Sequence, residues 1–344
     1  MSSTPRLNRF IFIAFLLLSF CVGSAALVWQ PVREIAYAPL RDALLPNFYL
    51  NPQAGRPVTL IVAAPPALED WVRDSAVEFS KFNPLITVNV TVIRGAEAGN
   101  RLTAMTGLPD VWIAESDWTR IAAGGISYET TGTVIAQDTF TWAVETGTFL
   151  SYIEWQALAQ FAATNPQFHL AVPPEGSVEG MGACLSAAAE FFQQSSLTAA
   201  QINDPAFKRW LAGLMQAVPD RTKNPFDQMT SRPPQANAAF LPLSDGRRLD
   251  SSAFVLQPPI FRAVLNYSLY IRSNWRELED WEADLQRAAA ESFRAQLLGN
   301  GPQGDLAAQY LERPDVVFEN PVRPADENAV YALQFCWSAQ GGNL

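Results

Sequence analysis

Histidine and cysteine carry the chemistry of many hydrolases and zinc proteins, and this chain of 344 residues holds few of either. Its one histidine, His169, falls within a predicted strand, and its cysteines are Cys21, Cys184 and Cys336. A single histidine argues against a Ser-His-Asp triad and against a zinc site built on imidazoles. Two cysteines beyond the N-terminal segment are too few for a thiolate metal site. We therefore predict no metal centre and interpret His169 as an ordinary strand residue.

Glycine motifs that cradle phosphates are incomplete. Gly180 and Gly182 precede a predicted helix, but the third glycine and the strand-to-helix turn of a dinucleotide site are missing, and no G-K-[ST] loop occurs. The 34 acidic residues leave a two-carboxylate glycosidase possible by composition, although no motif supports one. The sequence predicts a protein that is not an enzyme and needs no cofactor, with an exported hydrolase as the enzymatic alternative.

Two loops combine hydroxyl, carboxylate and aromatic side chains that could hold a small molecule. In the first, Ser116 could donate a hydrogen bond, Asp117 could pair with a cationic group and Trp118 could stack on a ligand. The second loop is Glu175-Gly176-Ser177, ahead of a predicted helix. Each of these residues is also a common turn or capping residue, so both interpretations stay open.

Alternating strands and helices would position the first loop. Val58–Ala63 reads as a buried strand, and an amphipathic helix follows Pro65 and Pro66. Ile86–Ile93 alternates as a second strand, and Pro109–Ala114 reads as a third. This order predicts a parallel sheet with helices on its faces. Ligands bind at the carboxyl ends of such strands, where the Pro65-Pro66 turn and the first loop lie.

The same segments resemble the first lobe of bacterial extracellular solute-binding proteins with the type 2 periplasmic-binding fold. The resemblance rests on VTLIVAAPPALEDWV, VTVIRG and GLPDVWIAESDW, and continues more weakly to about Leu311 through GTVIAQDTFTWAVE and the late helices. It implies two Rossmann-like α/β lobes joined by a hinge of two strands, with a ligand held between them.

The residue patterns and the resemblance together predict a division of the chain and a site. We expect a signal anchor or signal peptide in residues 1–29, a stalk in 30–56, lobe I in 57–132, lobe II in 133–243, and the rest of lobe I with a C-terminal tail in 244–344. Thr133–Ala143 would be the first crossing strand, and Ala236–Leu243 followed by Ser252–Leu256 would carry the second. The ligand would meet residues from both lobes: Pro65, Pro66, Ser116, Asp117, Trp118, Glu175, Gly176 and Ser177.

Composition and charge indicate the class of partner. Apolar residues make up 49% of the chain and charged residues 17%, which is typical of a globular protein. The net charge is −10 and no basic stripe occurs, so we predict no nucleic-acid partner, because such binding needs clustered Lys and Arg to neutralise phosphates. We expect a monomer.

The N-terminus predicts the compartment. Residues 10–29 form an uncharged apolar stretch preceded by Arg6 and Arg9, which is long enough to span a bilayer with its amino end in the cytoplasm. Gly23-Ser24-Ala25 offers a cleavage site, so a signal peptide is the alternative, and Cys21 allows a lipoprotein. Each alternative places the rest of the chain outside the cytoplasm.

That compartment is oxidising, which bears on the two remaining cysteines. Cys184 and Cys336 are the only thiols of the exported part, so we predict a disulfide between them. Two buried free cysteines, behaving as small hydrophobic residues, are the alternative.

The function predicted from these features is an exported, membrane-tethered solute-binding protein. The family resemblance implies delivery of the ligand to an ABC-type permease, and a surface sensor or assembly protein with the same fold is the alternative. The ligand class stays open. The turn Ala64-Pro65-Pro66 lacks the hydroxyls and two of the backbone donors with which oxyanion binders hold their ligand, which weakens that class.

Overall fold

The computed structural model describes residues 57–94, 108–122, 127–148, 153–275 and 277–337. The predicted membrane segment and stalk lie outside these ranges. Within them, no helix is both long and apolar enough to cross a membrane.

The elements alternate along the chain as an α/β protein requires. The strands are β1 Val58–Ala64, β2 Ile86–Val92, β3 Val111–Ala114, β4 Thr133–Glu145, β5 Leu170–Ala171, β6 Ser196–Leu197, β7 Ala238–Pro242, β8 Phe254–Gln257, β9 Arg262–Ile271 and β10 Pro321–Pro324. The helices are α1 Glu69–Phe82, α2 Asp117–Ala122, α3 Trp155–Thr164, α4 Val178–Phe192, α5 Ala199–Ile202, α6 Pro205–Leu214, α7 Pro225–Thr230, α8 Leu243–Gly246, α9 Asp280–Leu297, α10 Asn300–Asp305 and α11 Glu327–Gln334. Short 3-10 turns cover Pro66–Leu68, Met215–Ala217 and Leu306–Gln309.

The first lobe is built on the strand order β2-β1-β3-β9. β1 pairs in parallel with β2 and β3, and β9 closes the group antiparallel to β3. Helix α1 forms because Trp71, Val72 and Phe79 recur at helical spacing and bury one side against the sheet. Phe79 meets Phe293 of α9 edge to face at 5.4 Å. The parallel strands and helix predicted from the sequence are confirmed, with strand ends that agree within two residues.

Two antiparallel strands, β4 and β9, run from the first lobe into the second. The first half of β4 pairs with β9, and its second half pairs with β7 and β8. β9 in turn pairs with β10 at its start and with β3 at its end. The first crossing strand was therefore predicted correctly within Thr133–Glu145.

The second crossing strand was predicted wrongly. Ala238–Pro242 and Phe254–Gln257 are strands, but both pair with β4 inside the second lobe, and Arg262–Ile271 makes the crossing. Pro258 and Pro259, which lack backbone N–H groups, separate β8 from β9, so the ladder breaks and restarts there. The alternation of residues along a strand does not show which of several consecutive strands crosses from one lobe to the other.

The second lobe has its own hydrophobic cluster. Residues of α4, α6 and α11 pack there against residues of β4 and β7. The strand residues include Phe140, Trp142 and Phe240. β10 and α11, within residues 321–334, also belong to this cluster. The sequence analysis assigned residues 244–344 to lobe I and a tail, and the hydrophobic clusters divide the chain differently. The chain returns to the second lobe near its end, because Val322, Val330 and their neighbours bury apolar surface there.

Cys184 of α4 and Cys336 just after α11 lie together in this cluster. Their Cα atoms are 6.4 Å apart, within the range of a disulfide, and the structure joins their sulfur atoms. The bridge ties the late return segment to the central helix of the second lobe.

Candidate functional site

The turn after β1 places its two prolines differently. Pro65 is buried and its carbonyl accepts a hydrogen bond from the Leu68 amide at 3.0 Å, while Pro66 is exposed and begins the 3-10 turn that leads into α1. Because neither proline has an N–H group, this turn offers fewer backbone donors to an anion than an ordinary helix entry.

Ser116 and Asp117 lie at the start of α2, directly after β3. The Ser116 hydroxyl accepts a hydrogen bond from the Trp118 amide at 3.2 Å, which is a capping contact. Asp117 Oδ1 accepts hydrogen bonds from the hydroxyls of Ser268 and Tyr270, each at 2.8 Å. Asp117 therefore anchors α2 to β9, while its side chain stays exposed at the surface.

Trp118 does not present the open stacking face that the sequence analysis predicted. Its side chain is only 9% exposed and packs into the cluster of the second lobe, where the neighbouring Ile121 also contacts it. Helix α2 lies against α11, and Tyr331 of α11 donates to the Ile121 carbonyl at 3.4 Å. Trp118 thus joins the two lobes by hydrophobic packing.

The loop from the second lobe forms the N-terminal cap of α4. The Ser177 hydroxyl donates to the Pro174 carbonyl at 2.7 Å and accepts from the Gly180 amide at 2.9 Å. Gly176 adopts φ +75°, a conformation that favours glycine. Glu175 is exposed, and its charge opposes the effect of burial, which lowers the pKa of Lys208. The hydrogen bonds of both serines are local, so capping accounts for them.

Asp138, on β4 at the crossing, is a functional candidate that sequence reasoning missed. Its side chain is 1% exposed and accepts hydrogen bonds from the Ser244 hydroxyl at 2.6 Å and the Thr139 amide at 2.7 Å. Burial raises the pKa of Asp138 to about 7, against these hydrogen bonds, which lower it. The sequence holds a signal for this residue: Asp138 is the one charged side chain in the interior of the apolar segment TVIAQDTFTWAVE, which indicates a buried carboxylate.

Tyr267 on β9 is a second missed residue. Asp138 lies opposite Leu265 and Tyr267 lies opposite Ala136, so Asp138 and Tyr267 are diagonal neighbours on one face of the crossing strands. Burial raises the pKa of Tyr267 well above its usual range, and four acidic side chains raise it further: Asp138, Glu115, Glu179 and Asp245.

Helix α4 covers the same face of the crossing strands. A Cβ atom added at Gly182 would lie 2.6 Å from the Phe140 ring and 3.6 Å from Ala263, so the glycine allows the helix to approach closely. Glu179 is one turn nearer the helix start on that side, because residues three apart share a helix face.

Asp117 bonds the opposite face of β9. Its partners are Ser268 and Tyr270, which alternate with Tyr267 along the strand.

The prediction that His169 lies within a strand is wrong, because β5 begins at Leu170. His169 is exposed, and its backbone amide donates a hydrogen bond to Asn237 Oδ1 at 2.9 Å. Among the residues that the structure describes, no group of three or more His, Cys, Asp or Glu side chains converges on a point where a metal ion could be held.

Comparison with known protein families and with curated proteins gives no match. Solved structures do match over most of the chain. Ferric ion-binding protein A of Pasteurella haemolytica aligns with a TM-score of 0.58 at 12% identity, over 82% of this chain and 97% of that protein. Iron-bound HitA from Pseudomonas aeruginosa aligns with a TM-score of 0.57 at 13% identity, over 82% of this chain and all of HitA.

The sulfate-binding protein SubI from Mycobacterium tuberculosis aligns with a TM-score of 0.53 at 12% identity, over 79% of this chain and 96% of SubI. At these identities the likeness concerns the fold alone. The described part of the chain has the two-lobed α/β fold of the periplasmic substrate-binding proteins, as the sequence resemblance implied.

Proposed function

We propose that this protein is an exported solute-binding protein that captures a small ligand between its two lobes and is not an enzyme. The observation that carries the proposal is the pair β4 and β9, which passes through both sheets and joins two separate hydrophobic clusters. These two strands, together with the segment between Gln309 and Pro321 that returns to the second lobe, are the chain connections that would absorb the dihedral changes of a hinge.

The cleft beside these strands is where the ligand would bind. The carboxyl end of β3 pairs with β9 at Ser268, and α4 of the second lobe approaches β4 at Gly182, so loops from both lobes would lie near the crossing. The contacts predicted at Pro65, Pro66, Ser116, Asp117, Glu175, Gly176 and Ser177 stay part of the proposal, and we add the half-buried Glu179 in the first turn of α4. Trp118 is left out of the proposed ligand contacts, because its side chain is packed in the hydrophobic cluster of the second lobe.

Delivery to an ABC-type permease is the step that the fold neighbours favour, since a sulfate-binding protein and an ABC transporter protein are among them. A surface sensor with the same fold is the second candidate. Both would sit outside the cytoplasm, tethered through residues 10–29. Cell fractionation tests the tether: a shortened soluble product starting near Ala26 would contradict it.

A thermal-shift screen of the full-length chain in mild detergent tests the binding function. The panel would hold oxyanions, amino acids, polyamines, sugars and metal ions. A ligand specific to the folded state, at 100 times its Kd, adds about 2.7 kcal/mol of stability and raises Tm. A panel in which nothing raises Tm, with protein that unfolds cooperatively, would count against solute binding.

A further inference from the structure

A groove in the second lobe lies apart from the proposed cleft. It runs between α3 and α6 and has a volume of about 910 Å³. Ligand pockets usually measure roughly 300–1,000 Å³, so the groove is large enough for a small molecule. The described residues that line it include none of those proposed to contact a ligand in the cleft. The groove is therefore a separate candidate site.

Apolar and aromatic side chains form the inner surface of the groove. Phe168 and Leu214 are buried there, and the half-buried Phe191 lies beside Trp210 with ring centroids 5.4 Å apart. Alanines line much of the rest, and a Cβ atom added at Gly213 would meet nothing within 4 Å, so small side chains leave space between the helices. A flat apolar body such as an aromatic ring suits this surface.

Hydrogen-bond donors lie at the edge of the groove. Arg209 of α6 is exposed, and its guanidinium makes no ion pair or hydrogen bond with any residue that the structure describes. The indole N–H of the neighbouring Trp210 likewise has no hydrogen-bond partner among the described residues. Both groups can donate and cannot accept. They would therefore complement a ligand group that only accepts.

The charge of the lining favours an anion. No acidic side chain is among the described residues that line the groove, although the chain has 34 acidic residues against 24 basic ones. A carboxylate placed there would meet the Arg209 cation and no like charge in the lining, whereas an ammonium group would meet a like charge.

We propose that this groove binds an aromatic carboxylate, with its ring against Phe168 and Phe191 and its carboxylate bonded to the Arg209 guanidinium. The inference goes beyond the proposed function, because it adds a second site to the molecule. Hydrogen bonds between a guanidinium and a carboxylate are charge-assisted and stronger than those between neutral groups. The Trp210 N–H is a further donor to the same group.

Isothermal titration calorimetry on the full-length chain in lipid nanodiscs tests the ligand class, with empty nanodiscs as the blank. The probes share an indole ring and differ in charge: indole-3-acetate is an anion, indole-3-acetamide is neutral and tryptamine is a cation. We expect indole-3-acetate to bind about tenfold more tightly than the amide, and tryptamine to bind most weakly. Equal Kd values for the three probes, or no binding of indole-3-acetate, would overturn the proposal.

Two variants and a matched control locate the site. R209Q removes the charge and keeps a polar side chain, so it should weaken indole-3-acetate by about tenfold and leave the amide within about twofold. G213L places an apolar side chain in the open space one turn from Trp210, and it should weaken both probes. R323Q changes an exposed arginine of β10 outside the groove, and it should leave both Kd values within about twofold of the wild type.

The variants also separate the groove from the cleft. If indole-3-acetate binds R209Q and G213L as tightly as it binds the wild type, its site lies elsewhere and the inference is wrong. If G213L does not fold, R209Q alone decides through its different effects on the anion and the amide. Because groove and cleft share no residue, failure here leaves the proposal of solute binding between the lobes standing.

Discussion

At the scale of single residues, Asp110 shows how one carboxylate directly before the buried strand β3 can hold several elements together. Asp110 Oδ2 accepts hydrogen bonds from the Ile61 amide and the Gln286 side chain, and Oδ1 accepts from the Trp275 indole, each at 2.8 Å. One carboxylate thus joins β1, α9 and the end of β9. All three partners are donors, so the position needs an acceptor-only side chain.

The variant D110N should therefore destabilise the fold. Its amide nitrogen would face N–H groups and leave at least one donor unpaired, which costs about 1–3 kcal/mol. Chemical denaturation measures the free energy of unfolding. D74N, an exposed aspartate on α1, is the control and should change it little. Equal losses in both variants would mean that the Asp110 hydrogen bonds do not hold these elements together.

Two buried carboxyl groups should make stability depend on pH. Burial raises the pKa of Asp138 to about 7 and that of Glu190 to about 7. Between about pH 4 and pH 7 the folded protein holds these protons and the unfolded chain does not. The contribution of these two groups to the free energy of unfolding is therefore largest below about pH 4 and is lost as the pH rises through 7.

Urea denaturation at pH 5 and pH 8 checks the sign. The wild type should be more stable at pH 5, and the double variant D138N/E190Q should lose most of that difference. H169Q, at an exposed residue, is the control variant. The prediction fails if the double variant keeps the full pH dependence, or if the wild type gains stability at pH 8.

At the scale of elements, the sequence predicted what local patterns determine. β1, α1, β2 and β3 follow from alternation, helical spacing and proline punctuation between Val58 and Ala114. β9 was missed because RAVLNYSLYI is buried on both faces at its end and its partners β3, β4 and β10 are distant in sequence. The same non-local pairing brings Asp138 and Tyr267 together, so no spacing rule could have shown it.

Close packing of α4 on the crossing strands gives a test at this scale. G182A places a methyl group 2.6 Å from the Phe140 ring, inside a closely packed cluster, so it should destabilise by about 1–3 kcal/mol. The control is G213A on α6, where a Cβ meets nothing within 4 Å and helix propensity should add up to about 1 kcal/mol. Opposite signs in thermal or urea unfolding are expected. A stabilised G182A would show that α4 does not approach the strands this closely.

At the scale of the whole molecule, the chain enters the second lobe twice. β10 and α11 return to it after the first lobe is complete, and Cys184 and Cys336 join residues 152 apart in sequence. Closing a loop of that length removes conformational freedom from the unfolded chain and is worth about 4–5 kcal/mol in the chain-entropy model.

The disulfide gives its own test. Reduction, or the double variant C184A/C336A, should lower Tm, and alkylation of the denatured, unreduced protein should modify Cys21 alone. The reduced wild type and the double variant should unfold at similar temperatures. Alkylation of all three cysteines without reductant would decide for two buried free thiols.

Movement of one lobe against the other is the most direct consequence of the proposed function. Spin labels at V77C on α1 and G213C on α6 report the distance between lobes in a C21S background, and labels at V77C and D284C report a distance within the first lobe. Pulsed electron resonance would follow both pairs as the ligand found in the thermal screen is added. We predict that the interlobe distance distribution shifts while the intralobe one stays fixed. An unchanged interlobe distance at saturating ligand would contradict capture by hinge closure at β4 and β9.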